Sequence, residues 1–392
     1  MRIIAVHGYL DKLRGAELTF VNMLTHLKRR GHDVDVIVFG ISEHYRNQFD
    51  ETGIRFTSLD FKEVSFQKPL SLLNPYLRIF NLMRAAYVYR RRSAEINQGY
   101  EIAFIHHYNY SPLALLSLKI PTVYYCHEPP RSFYESTCRK QKLFGVLSSI
   151  KNYIPRAIEK QIDRHCVKNA SRVLCNSDYS RRYINRVYKI NSVTNYLGVD
   201  TKRFRPLNLR KEDIIVTVGA ISYLKAQDFV VKSICLIPKD KRPKLIVIGD
   251  GLQKNKDDLH SLAAEKGVSL DIRSNIPAEE VVEFYNKAKV AAIAYIMEPS
   301  IEPEALACGT PVVAVDEGGV KEAITPEVGI LTRRNEEEFA HGIEWLLDNP
   351  QIAEEMGKKG VELVKRGYSW DKCAENLEKN FRKAIELRRN TR

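Results

Sequence analysis

Glu298, Ser300, Glu302 and Glu304 stand at alternate positions just ahead of an apolar run, Ala305-Leu306-Ala307-Cys308. Carboxylates packed this closely are good acceptors for the vicinal hydroxyls of a ribose or a hexose. The apolar run predicts a short helix, with Pro303 suited to its first turn and Gly309 to its C-cap. A helix N-terminus can face a phosphate. One site could thus hold both a phosphate and a pair of sugar hydroxyls. The same glutamates also suit the positive end of a first helical turn with no ligand at all. Residue chemistry alone leaves the two readings level.

These residues need a scaffold, and the chain predicts one. A buried strand ends near Ile296, and Thr310–Ala314 begins the next. Gly318-Gly319 forms a tight turn after it. Further strands are expected at Ile214–Val218, Lys244–Ile248, Leu270–Ile272, Val290–Tyr295, Pro311–Val315 and Ile330–Leu331. The first half has its own set: Ile3–Val6, Val34–Phe39, Ile102–Ile105, Thr122–Tyr125 and Arg172–Cys175. Between the first two runs a helical pattern passes through Phe20, Val21, Leu24 and Leu27 and stops at Gly31. Strands alternating with helices predict parallel sheets wrapped by helices. The pattern restarts near Asp200–Asn208, which gives an α/β chain of two Rossmann-like doubly wound lobes. Their ligands are expected at the carboxyl ends of the strands, in a central cleft that the lobes face. The expected boundaries are 1–205 and 206–372.

At 392 residues the chain is long enough for two domains. Its 44% hydrophobic and 28% charged content describes a globular protein. The net charge of +13 is confined to one half, because residues 1–200 carry 30 Lys+Arg against 17 Asp+Glu. Such asymmetry favours an anionic partner: nucleic acid, an acidic membrane or a phosphorylated substrate. Seven scattered cysteines form no paired or zinc-like spacing, as expected of reduced thiols in a cytoplasmic protein. The apolar stretch at the N-terminus is too short for a signal peptide, and no run reaches the ~20 residues of a membrane span.

The stretch Glu304-Ala305-Leu306-Ala307-Cys308-Gly309-Thr310-Pro311-Val312-Val313-Ala314, followed by Gly318-Gly319-Val320-Lys321-Glu322, resembles the signature of the retaining GT-B glycosyltransferases of the family 4, or group 1, type. The usual pattern there is E-P-F-G, a few apolar residues, E-A-x-A-C-G-T-P-V-V-A and G-G-x-x-E. The resemblance implies a donor site for a nucleoside-diphosphate sugar. It places Glu304 on the ribose and Gly318-Gly319 beside the donor. Glu298 would contact the transferred sugar, but the loop is short: five residues separate Glu298 from Glu304 where the family has seven, and Phe-Gly is missing. Glu302 could take its role. Val218-Gly219-Ala220-Ile221-Ser222-Tyr223-Leu224-Lys225 resembles V-G-R-L-x-x-x-K, which puts Lys225 on the diphosphate and leaves Ala220 where an arginine is usual. Gly249-Asp250-Gly251 resembles a structural turn of the same lobe. Arg14-Gly15-Ala16-Glu17 resembles G-G-A-E, whose backbone at Gly15 and Ala16 would approach the diphosphate. Asn176-Ser177 and Tyr196-Leu197-Gly198-Val199-Asp200 resemble further turns of the family. His127, in Cys126-His127-Glu128-Pro129, falls where the family places a histidine beside the donor sugar. His106 and His107 also follow a strand and carry a weaker expectation. Ser369-Trp370 resembles the start of a C-terminal helix, about 373–392, that returns to the first lobe.

The implied activity is retaining transfer of a hexose (mannose, glucose or N-acetylhexosamine) to a glycan or lipid-linked acceptor in cell-surface polysaccharide or glycolipid synthesis. The resemblance calls for no cofactor beyond the donor and for no metal. Tyr76–Arg92 and Lys140–Arg156 read as basic amphipathic stretches, or as ordinary core-facing helices. With the one-sided charge they suggest a phosphorylated or lipid-linked acceptor and peripheral binding to an anionic membrane. Two rivals are a sugar-nucleotide epimerase of the same architecture and a nucleic-acid-binding protein using the basic half. The first lacks a reason for the long motif, and the second lacks a compact nucleic-acid motif.

Overall fold

The computed structural model describes residues 1–12, 15–67, 73–107, 109–134, 146–295 and 303–390, with the side chains of 146–152 excepted. The chain divides into two compact units, 1–195 with 373–392, and 196–372.

The first unit is built on a seven-stranded parallel sheet. Its strands are β1 (Arg2–Val6), β2 (Asp33–Val38), β3 (Arg55–Ser58), β4 (Ile102–His106), β5 (Thr122–Tyr125), β6 (Arg172–Cys175) and β7 (Val193–Thr194). They lie in the order β3-β2-β1-β4-β5-β6-β7. Ile3, Ile4, Ala5 and Val6 are all buried, as a parallel strand covered by helices on both faces requires. Helix α1 (Gly15–Arg29) presents Phe20, Met23, Leu24 and Leu27 to the sheet and ends before Gly31, whose φ is +83°. The order reverses between β1 and β4, so the switch point opens beside His7 and His106–His107.

Helix α2 (Glu43–Thr52) precedes β3, and the single turn α4 (Arg131–Tyr134) follows β5. Between them, helix α3 (Asn74–Gly99) buries Asn81, Ala85, Tyr89 and Ile96 along one face. Helix α5 (Val146–Lys168) packs near it, and the Arg78 Nε–Glu159 Oε1 ion pair of 2.9 Å ties the two together. Ser177 caps helix α6 (Asp178–Tyr188) by accepting from the Ser180 N–H at 3.0 Å, the role its type and position suit. Residues from Cys373 onward fold with this unit through the helix Trp370–Asn390. Phe381 meets Phe104 at 5.5 Å between ring centroids, Asn380 accepts from Arg172 Nε at 2.6 Å, and Arg30 pairs with Glu378 at 2.9 Å.

The second unit carries six parallel strands: β8 (Ile214–Val218), β9 (Lys244–Ile248), β10 (Leu270–Arg273), β11 (Val290–Ile293), β12 (Val312–Val315) and β13 (Gly329–Thr332), in the order β10-β9-β8-β11-β12-β13. Its switch point lies between β8 and β11. Close backbone approach dictates both glycines of the Gly249-Asp250-Gly251 turn: a Cβ on Gly249 would lie 2.0 Å from the Gly219 carbonyl oxygen, and one on Gly251 2.5 Å from that of Ile221.

The sheets follow the sequence, with differences that have physical causes. The two edge strands β3 and β7 were not expected, because they are short and half exposed. The division at Asn195–Tyr196 lies upstream of the expected 205/206. Residues 196–205 belong to the second unit because Val199 donates to the Tyr368 carbonyl at 2.8 Å and Tyr196 Oη donates to Glu322 at 3.0 Å. The helix after Pro303 spans only Glu304–Ala307, with Pro303 at its N-cap and Gly309 at φ +75°. One turn sums few peptide dipoles, so the helix-terminus argument for a phosphate loses its force.

Candidate functional site

In the second unit the switch point is shaped around Lys225. Strand β8 ends at Val218, and Gly219 turns the chain with φ +145° while its N–H donates to the Ile248 carbonyl at 2.8 Å. A single 3-10 turn, Tyr223–Lys225, then brings Lys225 back over the strand end. Its ammonium lies 3.7 Å from the ring centroid of Tyr295, within cation–π range. Tyr295 Oη in turn donates to the Val218 carbonyl. A Cβ at 219 would meet Lys225 Cδ and Cε and Tyr295 Oη at 3.4 Å, an ordinary contact distance. Glycine is required there by the backbone, whose φ of +145° L side chains rarely adopt.

Arg334 braces the same place. Its guanidinium is held by both carboxylate oxygens of Glu317 at 2.7 Å and donates to the Ala294 carbonyl at 3.0 Å and the Tyr295 carbonyl at 2.9 Å. It fixes the chain where it leaves β11, at Ala294 and Tyr295. No motif in the sequence pointed to Arg334; its position just after the last strand of the sheet is the only signal it offered.

Glu304 is half-buried at the start of its one-turn helix. Gly318 has φ +69°, and Gly319 opens a short 3-10 turn, Val320–Glu322. Glu322 is a fastening residue: its carboxylate accepts from Tyr196 and its carbonyl from Tyr368 Oη at 2.7 Å. Glu298, Glu302 and Arg14 lie outside the described residues, as does Lys140–Gly145 of the second basic stretch.

In the first unit, His127 follows β5 and joins a chain of imidazoles. Its Nε2 lies 3.1 Å from Nε2 of His106, whose Nδ1 lies 3.2 Å from Nδ1 of His7. Neutral imidazole offers one N–H and one lone pair. His106 uses both nitrogens, so the proton position in one link fixes that in the other. Burial, reinforced by the other histidines, holds His7 and His106 well below the usual range. Burial lowers His107 to about 4 and His127 to about 3. All four are neutral rings at pH 7. The rings of His7 and Phe20 stack at 4.8 Å, which closes the back of the chain.

Gly15 and Ala16 open helix α1 at the carboxyl end of β1. A Cβ on Gly15 would meet no atom of the described residues within 4 Å, so their packing does not demand glycine there. Asp33-Val34-Asp35 spells a D-x-D, which sequence reading overlooked. Arg55 holds Asp35 at 2.8 Å and Tyr100 donates to it at 2.6 Å, on the strand away from the loops just described. Among the described residues no group of three or more His, Cys, Asp or Glu is placed to hold a metal ion.

The expected residues thus gather in two places. Lys225 shares one with Gly219, Tyr295 and Arg334 in the second unit. Gly15 and Ala16 lie at the carboxyl end of β1 and His127 at that of β5, the two strands that flank β4.

Comparison with known proteins follows the same division. Residues 13–203 match the family described as Glycosyltransferase Family 4, and residues 199–363 match Glycosyl transferases group 1. A D-inositol 3-phosphate glycosyltransferase of Nocardia farcinica is 30% identical over 260 residues, 59% of this chain and 57% of that protein. The alignment therefore spans less than two thirds of such a relative. The crystal structure of Anabaena Alr3699/HepE in complex with UDP superposes with a TM-score of 0.70 at 16% identity, covering 98% of this chain and 100% of that one. Sucrose-phosphate synthase from Thermosynechococcus elongatus gives 0.69 at 19% identity, with 98% and 100% covered. At these identities the likeness is one of fold.

Proposed function

The chain belongs to the group 1 and family 4 glycosyltransferases of GT-B fold, and from that premise we propose that it transfers a hexose from a nucleoside-diphosphate sugar to a glycan or lipid-linked acceptor with retention of configuration. The observation that carries the reading is the lysine folded over Gly219 at the switch point of the second unit. A leaving nucleoside diphosphate gains negative charge as the glycosidic bond breaks. A preorganised cation lowers that barrier, and Lys225 is the cation the turn supplies. Glu304 accepts from the ribose hydroxyls, and the Gly318-Gly319 turn lets the donor approach the backbone. Glu298 or Glu302 contacts the transferred sugar. Gly15 and Ala16 present backbone N–H groups to the diphosphate. His127, a neutral ring, exchanges a hydrogen bond with a donor-sugar hydroxyl and takes no proton. Retention by front-face attack, with the leaving phosphate as base, needs no protein nucleophile, cofactor or metal.

A thermal-shift screen against UDP-, GDP- and ADP-sugars in EDTA tests the donor. A donor present at a hundred times its Kd adds about 2.7 kcal/mol, a rise of about 5–10 °C in the melting of a unit this size. No shift with any of the three would count decisively against the reading, and a shift that appears only with added divalent metal would remove metal independence.

We also place the protein peripherally on an anionic, cytoplasmic membrane face, in polysaccharide or glycolipid synthesis. Helix α3 leaves Tyr76, Phe80, Met83 and Tyr87 exposed along one face, with Met83 at 58% and Tyr87 at 62%, and Arg90 and Arg91 follow on the same side. Tyr153 and Ile154 are exposed on α5. An apolar stripe ending in cations is the pattern of an interfacial helix. No described helix is long and apolar enough to cross a membrane. Sedimentation with phosphatidylserine vesicles at low salt is expected to carry the protein down. Met83→Asp with Tyr87→Asp should weaken binding by about tenfold or more. Recovery of all the protein in the supernatant would remove this part of the reading.

A further inference from the structure

A second cavity, of about 300 Å³, lies in the first unit between α3, α5 and the loops after β4 and β5. None of the residues discussed as donor contacts lines it. Its wall is largely apolar, with Leu82, Leu113, Phe133 and Ile162, but α5 sets two carboxylates one turn apart into that wall, Glu159 and Asp163. Glu159 is only 4% exposed. Its Oε1 receives Arg78 at 2.9 Å, whereas its Oε2, equally buried, has no hydrogen-bond donor among the described residues. Asp163 is locked in place: Tyr134 and Tyr188 both donate to its Oδ2, at 2.7 and 2.8 Å.

A buried carboxylate oxygen without a donor is costly, and a lined cavity in front of it is a place from which a ligand can supply one. The lining selects the ligand. Among the described lining residues Glu63, Glu159 and Asp163 accompany Arg78, and Arg156 and Arg164 act on the two helix carboxylates from beside the wall. A phosphate entering this space would bring acceptors and not the donor that Glu159 Oε2 lacks. A neutral ring bearing several hydroxyls would donate to Glu159 and lay its C–H face on the apolar wall beside Phe133. The volume matches the lower end of small-ligand pockets.

We propose that this cavity binds a neutral sugar or polyol ring through hydroxyl donation to Glu159, and that it receives the hydroxyl-bearing part of the acceptor, any phosphate of which stays outside. The assignment to the acceptor rests on the glycosyltransferase reading; the binding of a polyol does not.

Saturation-transfer NMR on the full chain, with methyl α-D-mannopyranoside and myo-inositol as neutral probes and inorganic phosphate as the anionic competitor, tests the site. At least one neutral probe is expected to bind and the phosphate to fail to displace it. Glu159→Gln should weaken binding by about tenfold or more. Ser132→Trp at the exposed rim, which removes no buried contact, should do the same by blocking entry. No transfer to either neutral probe, binding untouched by Ser132→Trp, or displacement by inorganic phosphate would each overturn the proposal. The nucleotide-sugar thermal shift is read in parallel. If it fails while polyol binding persists, the transferase reading falls and the cavity assignment stands; the reverse result removes the cavity alone.

Discussion

Lys225→Ala is expected to lower kcat/KM for sugar transfer by about 100- to 1000-fold while leaving the melting of the second unit almost unchanged. The kinetic loss follows from the role proposed for the ammonium, neutralising the departing diphosphate. The ammonium stands at the carboxyl end of β8 beside the sheet's switch point, held at 3.7 Å over the Tyr295 ring by a turn that glycine at 219 permits. The cation is thus positioned before any charge develops, and no reorganisation is needed as the diphosphate departs. Ala220 removes the second cation that the family pattern supplies, so more of the developing charge falls to Lys225. The small stability effect follows because the lysine is half-buried, with exposed Tyr223 and Leu224 beside it. Lys225→Arg should recover little, because the wider planar guanidinium does not substitute for a compact ammonium between Gly219 and Tyr295. Steady-state kinetics with the donor found by thermal shift would decide the matter. An unchanged kcat/KM, or a change confined to the KM of the acceptor, would show that the diphosphate lies elsewhere.

Which parts of this arrangement the sequence revealed depended on how local their cause was. Continuous apolar runs such as Ile3–Val6 and Ile214–Val218 read as buried parallel strands because burial on both faces leaves no polar alternation. Gly31 and Gly309 marked helix ends because their left-handed backbones are a local requirement. Arg55-Phe56-Thr57-Ser58 gave no such signal, since an edge strand needs neither continuous hydrophobicity nor length. Arg334 was invisible for another reason: it matters through carbonyls of residues 294 and 295, forty positions away. The imidazole chain joins residues 7, 106 and 127, which only the strand order β1-β4-β5 makes neighbours. Sequence reading singled out His127 by resemblance and ranked His106 below it, although His106 is the ring that both neighbours touch. The cavity before Glu159 has the same origin: its walls come from five separated segments, and a lone buried glutamate on a basic amphipathic helix reads as surface charge.

The imidazole chain also predicts how the first unit responds to acid. Its stability is expected to fall as the pH drops from 7.5 to 5, well before most carboxylates titrate. A histidine in the unfolded chain takes a proton near pH 6.5, whereas in the folded unit His107 and His127 take theirs only near 4 and 3, and His7 and His106 lie well below the usual range, all chiefly through burial. Between those limits the unfolded chain binds more protons than the folded one. Lowering the pH therefore favours unfolding, by about 1.4 kcal/mol per pH unit for each such ring. At pH 5 this amounts to about 2 kcal/mol per histidine, and four of them act together, so the loss is large against a typical domain stability of about 5–15 kcal/mol. The carboxylates do not mimic it. Glu378, lowered to about 2 by Arg382 and Arg30, begins to lose its contribution only below the unfolded carboxyl value, near pH 4.5. Burial raises Glu159 and Asp163, which makes them oppose the effect, since their protonated forms suit the folded unit. Urea titrations at pH 7.5, 6 and 5, followed by a signal from the first unit, would measure the slope. His127→Asn should reduce that slope by close to one proton, because it removes one ring and one of the two bonds of His106 and leaves no carboxylate altered. A stability flat between pH 7.5 and 5, or a slope that His127→Asn leaves intact, would mean that these rings are not held neutral by burial, and the fixed proton order from His127 to His7 would fall with it.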